Sequence, residues 1–152
     1  MPNAAIDIAA PRDRVFHYVT DPRYLPDWQP DVIKPPALPT GGLSVGTLLD
    51  CTVDEDGRAQ EVRLKVVELV PNEQIVYASE HPTFLMESEF RLTGRGAQTR
   101  VSHAIRVQPK GMGRFFLPRI KNRLQAKVEA RLDMLRRIVE SQELGLNAGP
   151  AA

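Results

Sequence analysis

The chain has 152 residues, 42% of them hydrophobic, which favours one domain with a core of its own over two. Its 20 Lys and Arg against 19 Asp and Glu leave a net charge of +1, a balance that implies no polyanionic partner. The one cysteine, Cys51, excludes an internal disulfide and suits a reducing compartment, and no apolar run approaches the roughly 20 residues of a membrane span.

The opening residues, MPNAAIDIAAPRDRVF, lack the basic-then-apolar pattern of a signal peptide, so a soluble cytoplasmic protein is expected. Alternation around Ile6, Asp7 and Ile8 predicts a short strand. Pro11 then suits the first turn of a helix with Val15, Phe16 and Val19 on its apolar side, ended by Asp21-Pro22. Six prolines follow between positions 22 and 39, a density that no long helix or central strand survives. Within that stretch RYLPDW fits a short helical turn with Tyr24, Leu25 and Trp28 pointing inward.

Strands come next. Residues 46–53 form a first run, and Asp56-Gly57 marks a tight hairpin to a second at 60–70. There Val62, Leu64 and Val66 share one face, and the phase shift at Val67 and Leu69 predicts a bulge. IVYASE is a third run. In TFLMESEFRL, Phe84, Met86, Ser88, Phe90 and Leu92 share a face, and TGRGAQ is read as the turn to TRVSHAIRV, whose Val101, His103, Ile105 and Val107 share another. A long helix closes the chain. Its apolar positions, Leu117, Ile120, Leu124, Val128, Leu132, Leu135, Ile138 and Val139, are spaced by three and four. Pro118 either opens that helix, where no donor is missed, or kinks it. The order predicts an α+β domain over residues 1–143, a curved antiparallel sheet around the last helix, with a flexible tail at 144–152.

The stretches IDIAAPRDRVFHYVTDPRYLPDWQPDV, ELVPNEQIVYAS, GRGAQTRVSHAIRV and GMGRFFLPRIKNRLQAKVEARLDML, in that order, resemble the polyketide cyclase/dehydrase and lipid-transport family of the START and Bet v 1-like helix-grip superfamily. That resemblance implies seven strands gripping the C-terminal helix. Six are legible, and the seventh is expected from the proline-rich stretch or from a split of residues 60–70. It also implies an apolar cavity between sheet and helix for a lipid, polyketide or similar hydrophobic small molecule. The expected ligand contacts are Trp28, Cys51, Tyr77, Phe84, Met86, Ser88, Phe90, His103, Ile120 and Leu124, with Phe115, Phe116 and Leu117 as a gate or wall at one end.

His103 is the candidate acid/base group. It lies on an apolar face, and a six-residue TGRGAQ loop puts Ser88 opposite it; the alternative is a histidine satisfied in the core. Cys51 reads as a small buried hydrophobe, since nothing supplies a histidine partner. Trp28 and Tyr24 either wall a pocket mouth or form a satellite core. Three scattered histidines and one cysteine give no metal-ligand spacing, and TGGLSVG and GMG are not phosphate loops, so neither metal nor cofactor is expected. Nine Lys and Arg against two acids between positions 110 and 137 lie mainly opposite the apolar stripe. No stacking aromatics are interleaved, so nucleic acid is not expected, while transient membrane contact during ligand exchange is. Edge strands leave monomer or homodimer open. Three functions fit: a hydrophobic-ligand carrier, a cyclase or dehydratase using the same cavity, or an interior filled by side chains such as Phe84 and Phe90. A pocket above roughly 300 Å³ separates the third from the others.

Overall fold

The computed structural model describes residues 1–147. In chain order these form β1 (Asn3–Ile8), α1 (Arg12–Thr20), a three-ten turn (Pro22–Tyr24), α2 (Leu25–Trp28), β2 (Val32–Lys34), β3 (Leu48–Glu55), β4 (Arg58–Val70), β5 (Gln74–Glu80), β6 (Phe84–Arg95), β7 (Gln98–Pro109), a three-ten segment (Gly111–Phe116) and α3 (Leu117–Asn147). All seven strands make one curved antiparallel sheet ordered β1-β7-β6-β5-β4-β3-β2. The seventh strand is β2, inside the proline-rich stretch; Pro35 and Pro36, which have no amide hydrogen, end it after three residues.

Turn chemistry sets the registers. Asp56 and Gly57 both have positive φ, 53° and 83°, as a two-residue hairpin turn requires. Val66 pairs with Tyr77 and Glu68 with Val76, so Val67 is the extra residue of a bulge, and both Val66 and Leu69 face the core. The β6–β7 hairpin is tighter than TGRGAQ suggests. Pairing continues to Arg95–Gln98, leaving only Gly96 and Ala97 in the loop, with Gly96 at φ 64°. The register therefore moves by two residues. His103 stands opposite Phe90, and Ser88 opposite Ile105.

Pro118 is the second residue of α3, where its missing donor is one the helix does not use, so no kink follows. GMGRFF is a separate three-ten segment ahead of it. The helix also runs four residues past the expected domain end, and residues 148–152 lie outside the described ones. Val128, Leu132, Leu135 and Val139 are fully buried, and they pack chiefly on β1, β7 and α2. Leu117, Ile120 and Leu124, nearer the start, are only half-buried.

Side chains of α3 also close the free edge of β1. Gln125 accepts from the Asn3 amide at 3.0 Å and donates to the Asn3 carbonyl at 2.8 Å, and Glu140 accepts from Ala9 N–H at 3.2 Å. Arg14 on α1 reaches the buried Glu143 at 2.9 Å. The opposite edge, β2, is protected by its shortness and flanking prolines.

The segment before α3 is held by one close approach. A Cβ added at Gly113 would stand 2.0 Å from the Thr83 carbonyl oxygen, which accepts from Lys110 N–H at 2.8 Å. Gly113→Ala should therefore lower stability by about 1–3 kcal/mol in denaturant unfolding, as overpacking does. An unchanged midpoint would show that this segment is free to shift.

Candidate functional site

A partly enclosed chamber of about 160 Å³ lies between the inward faces of β3–β6, the α1–α2–β2 stretch and α3. Its geometry follows from where α3 docks. The helix covers the β1–β7 side of the concave face, so the β3–β6 side is closed by shorter pieces. α1 and α2 supply Val19, Leu25 and Trp28; β3 and β4 supply Leu49, Cys51, Val53, Val62 and Leu64; β5 and β6 supply Tyr77, Phe84, Met86, Ser88 and Phe90; Leu124, Lys127 and Arg131 come from α3. Trp28 anchors one wall. It is fully buried, donates through Nε1 to the Tyr18 carbonyl at 3.3 Å, and meets Phe90 edge to face with ring centroids 5.5 Å apart. Trp28 belongs to the main core rather than to a satellite cluster and also lines the chamber, while Tyr24 packs against that core without lining it.

Eight of the expected contacts thus meet at one place: Trp28, Cys51, Tyr77, Phe84, Met86, Ser88, Phe90 and Leu124. Five do not. Phe115 and Phe116 are 62% and 52% exposed, and neither they nor Leu117 or Ile120 line the chamber. The three-ten segment turns them outward, and Arg114 lies over the Phe115 ring at 5.2 Å. The fifth is His103. It is fully buried and stacks on Phe90 at 3.9 Å, nearly parallel, without lining the chamber. Nδ1 donates to the Glu89 carbonyl at 3.1 Å, which leaves Nε2 as a bare acceptor with no protein partner among the described residues. Burial, reinforced by the nearby Arg131 charge, pulls its pKa down to about 3.

Two charged side chains that line the chamber, Arg131 and Asp31, were passed over in the sequence. Arg131 retains only 14% side-chain exposure, although the basic residues of α3 were expected opposite its apolar stripe. A signal existed: Leu124, Val128, Arg131 and Leu135 are spaced four, three and four, so Arg131 interrupts the stripe itself. Its Nη2 stands 3.6 Å from Asp31 Oδ2, Lys127 Nζ stands 3.9 Å from the same oxygen, and its Nε has no partner among the described residues. Asp31 sits in the proline-rich stretch, where periodicity says nothing about facing. Elsewhere in the chamber, burial raises the Cys51 thiol and the Tyr77 phenol, so both stay protonated at neutral pH. His81 stacks on Phe84 at 4.5 Å and shares a 2.9 Å hydrogen bond with Ser79, and burial lowers its pKa. Among the described residues no cluster of His, Cys, Asp and Glu suits a metal ion, and no helix is long and apolar enough to cross a membrane.

A larger hollow of about 900 Å³ lies on the other face of the sheet, among Arg63, Lys65, Glu87 and Arg106. Those are solvent-facing side chains, two of them already ion-paired on the surface, Arg63 with Asp50 at 2.7 Å and Arg106 with Glu89 at 4.0 Å. The inner chamber is the better candidate because its walls are core.

Comparison with known proteins agrees with the architecture. A family model described as polyketide cyclase / dehydrase and lipid transport matches residues 3–140. A START superfamily protein from Mycobacterium smegmatis superposes with a TM-score of 0.74 at 20% identity, covering 92% of this chain and 97% of that one. A Staphylococcus aureus protein of unknown function gives 0.70 at 12% identity over 93% and 95%. A polyketide-cyclase-like protein from Corynebacterium glutamicum gives 0.65 at 20% over 99% and 95%. At such identities the likeness is one of fold. Among curated proteins none matches the chain.

His103 has a measurable signature. Its folded pKa lies below the ordinary histidine value of about 6.5, so between pH 6.5 and 3 the unfolded chain binds the extra proton and stability falls with pH. Between pH 7 and 4 the wild type should lose about 3 kcal/mol more than His103→Gln, measured by denaturant midpoints at each pH. Parallel pH profiles for the two proteins would contradict a neutral, sealed imidazole.

Proposed function

The chain belongs to the polyketide cyclase/dehydrase and lipid-transport family, and we propose that it is a binding module for a small, mostly apolar molecule held in the chamber between sheet and C-terminal helix. The observation that carries this reading is the chamber itself, about 160 Å³ and walled by Trp28, Leu49, Tyr77 and Phe90. Size decides the kind of guest. An apolar cavity of about 150 Å³ accommodates a benzene ring, whereas drug-sized ligands need roughly 300 Å³ or more. A single ring or a short branched chain fits as the walls stand; a sterol or an extended polyketide requires them to open. Burial of ligand area at about 25 cal/mol per Å² supplies the driving force.

The cyclase or dehydratase reading has less behind it. Its proposed acid/base group, His103, is separated from the chamber, and the Tyr77 and Cys51 protons are held too tightly for proton transfer at neutral pH. A filled interior fits the volume below 300 Å³, but not the polar side chains that open onto it. Met112, Phe115 and Phe116, exposed beside Lys110 and Arg114, offer a surface for brief contact with a membrane during ligand exchange.

Native mass spectrometry of the purified protein should find a small bound organic molecule. Titration with a neutral single-ring compound such as toluene should shift NMR signals of Trp28, Leu49 and Phe90. Val62→Phe, which fills the chamber from β4, should abolish those shifts while costing about 1–3 kcal/mol of stability. Shifts that survive the substitution, or that map only to the outer face of the sheet, count against the chamber as the site.

A further inference from the structure

We propose that the chamber selects a ligand bearing a single carboxylate, bound through the Arg131 guanidinium. This rests on the reading of the chamber as a ligand site and names the chemical class it takes. A guanidinium carries five N–H donors and stays charged, so one removed from water is normally held by well-formed hydrogen bonds to carboxylates or carbonyls. Arg131 is not. Its side chain retains 14% exposure, and among the described residues its Nε has no partner and its nearest carboxylate, Asp31, stands 3.6 Å from Nη2, longer than a hydrogen bond. Burial pulls its pKa down and Asp31 opposes that pull only in part.

Charge counting gives the sign of the ligand. Every charged group lining the chamber enters the count: Asp31, Asp54, Glu55, Lys127 and Arg131, with His81 neutral by burial. Asp54 and Glu55 are exposed on the β3–β4 hairpin at the rim, where water screens them, and neither approaches Arg131 or Lys127 within 4 Å. At the inner end one carboxylate, Asp31, therefore serves two cations. Lys127, 43% exposed and 3.9 Å from Asp31, is the partner able to take that carboxylate alone. A ligand carboxylate on Arg131 would then leave two anions facing two cations. The guanidinium fork offers two parallel N–H donors to such a group, and the low-dielectric wall of Leu49, Trp28 and Phe90 strengthens each bond. The ring or short chain behind the carboxylate lies against those same apolar walls.

The test uses three probes of one shape: 3-phenylpropanoate, 3-phenylpropanol and 3-phenylpropylamine, titrated into the full-length protein by calorimetry at pH 7 and low salt. The acid should bind at least about tenfold more tightly than the alcohol, as a charge-assisted bidentate pair implies. In Arg131→Met that preference should vanish while the alcohol still binds; in Lys127→Ala it should fall but persist. Equal binding of acid and alcohol to the wild type overturns carboxylate selection and leaves the chamber as a hydrophobic site. Tighter binding of the amine overturns it in favour of Asp31 as the recognition group. Binding of none of the three overturns this inference together with the reading it rests on. The wild-type comparison decides the matter even where Arg131→Met does not fold.

Discussion

The docking of α3 on one side of the sheet is the constraint from which the rest follows. Seven strands curve, and a helix fills only part of a concave face. Here Val128, Leu132, Leu135 and Val139 commit the helix to β1, β7 and α2. Hydrogen bonds that Gln125 and Glu140 share with the backbone of residues 3 and 9 fix it there. Each such bond contributes about 1 kcal/mol, yet together they remove the freedom to slide that a purely apolar seam would leave. With the helix pinned to that side, the inward faces of β3 to β6 have no regular element over them. A nine-residue helix, a four-residue helix and a three-residue strand close the gap, and short pieces joined by prolines do not fill space as a long helix does. The chamber is what remains.

The same arrangement accounts for two polar groups inside. His103 and Arg131 sit on facing elements, β7 and α3, and each keeps an unpartnered nitrogen. They differ in what surrounds them. His103 is stacked against Phe90 and remains neutral, so its burial is tolerable. Arg131 cannot lose its proton so readily, and a buried charge with imperfect pairing is expensive to keep. Such a group persists where its position has a use.

Most of the fold was legible in the sequence. Alternation in residues 84–92 and 101–107, the Asp56-Gly57 turn and the phase slip at Val67 carried the sheet, because facing in a strand repeats every two residues and a register error of two preserves it. That is why the misjudged β6–β7 turn left His103 on the correct face but opposite the wrong residue. The seventh strand was hidden because three residues among prolines have no period to detect. The site was legible in part for the same reason. Apolar wall residues such as Tyr77 and Phe90 announce themselves by pattern. Phe115 and Phe116 are equally apolar, but they lie in a three-ten segment ahead of the helix, where no period says which way a side chain faces. Arg131 was obscured by counting the charges of α3 as a set rather than by position.

The pairing order has a further consequence for how the protein comes apart. From β3 to β7 every strand pairs with its sequence neighbour through a short turn, so those contacts are local. β1 alone reaches across the chain, with Asn3 beside Ala104. Its other side is bound by Gln125 and Glu140 of the final helix. β1 and the stretch of α3 from Gln125 to Glu140 are thus one cooperative unit, although they lie far apart in the sequence. Fraying at the N-terminus loosens the C-terminal helix, and strain applied at either end is felt at both, while the local hairpins between them keep their own register.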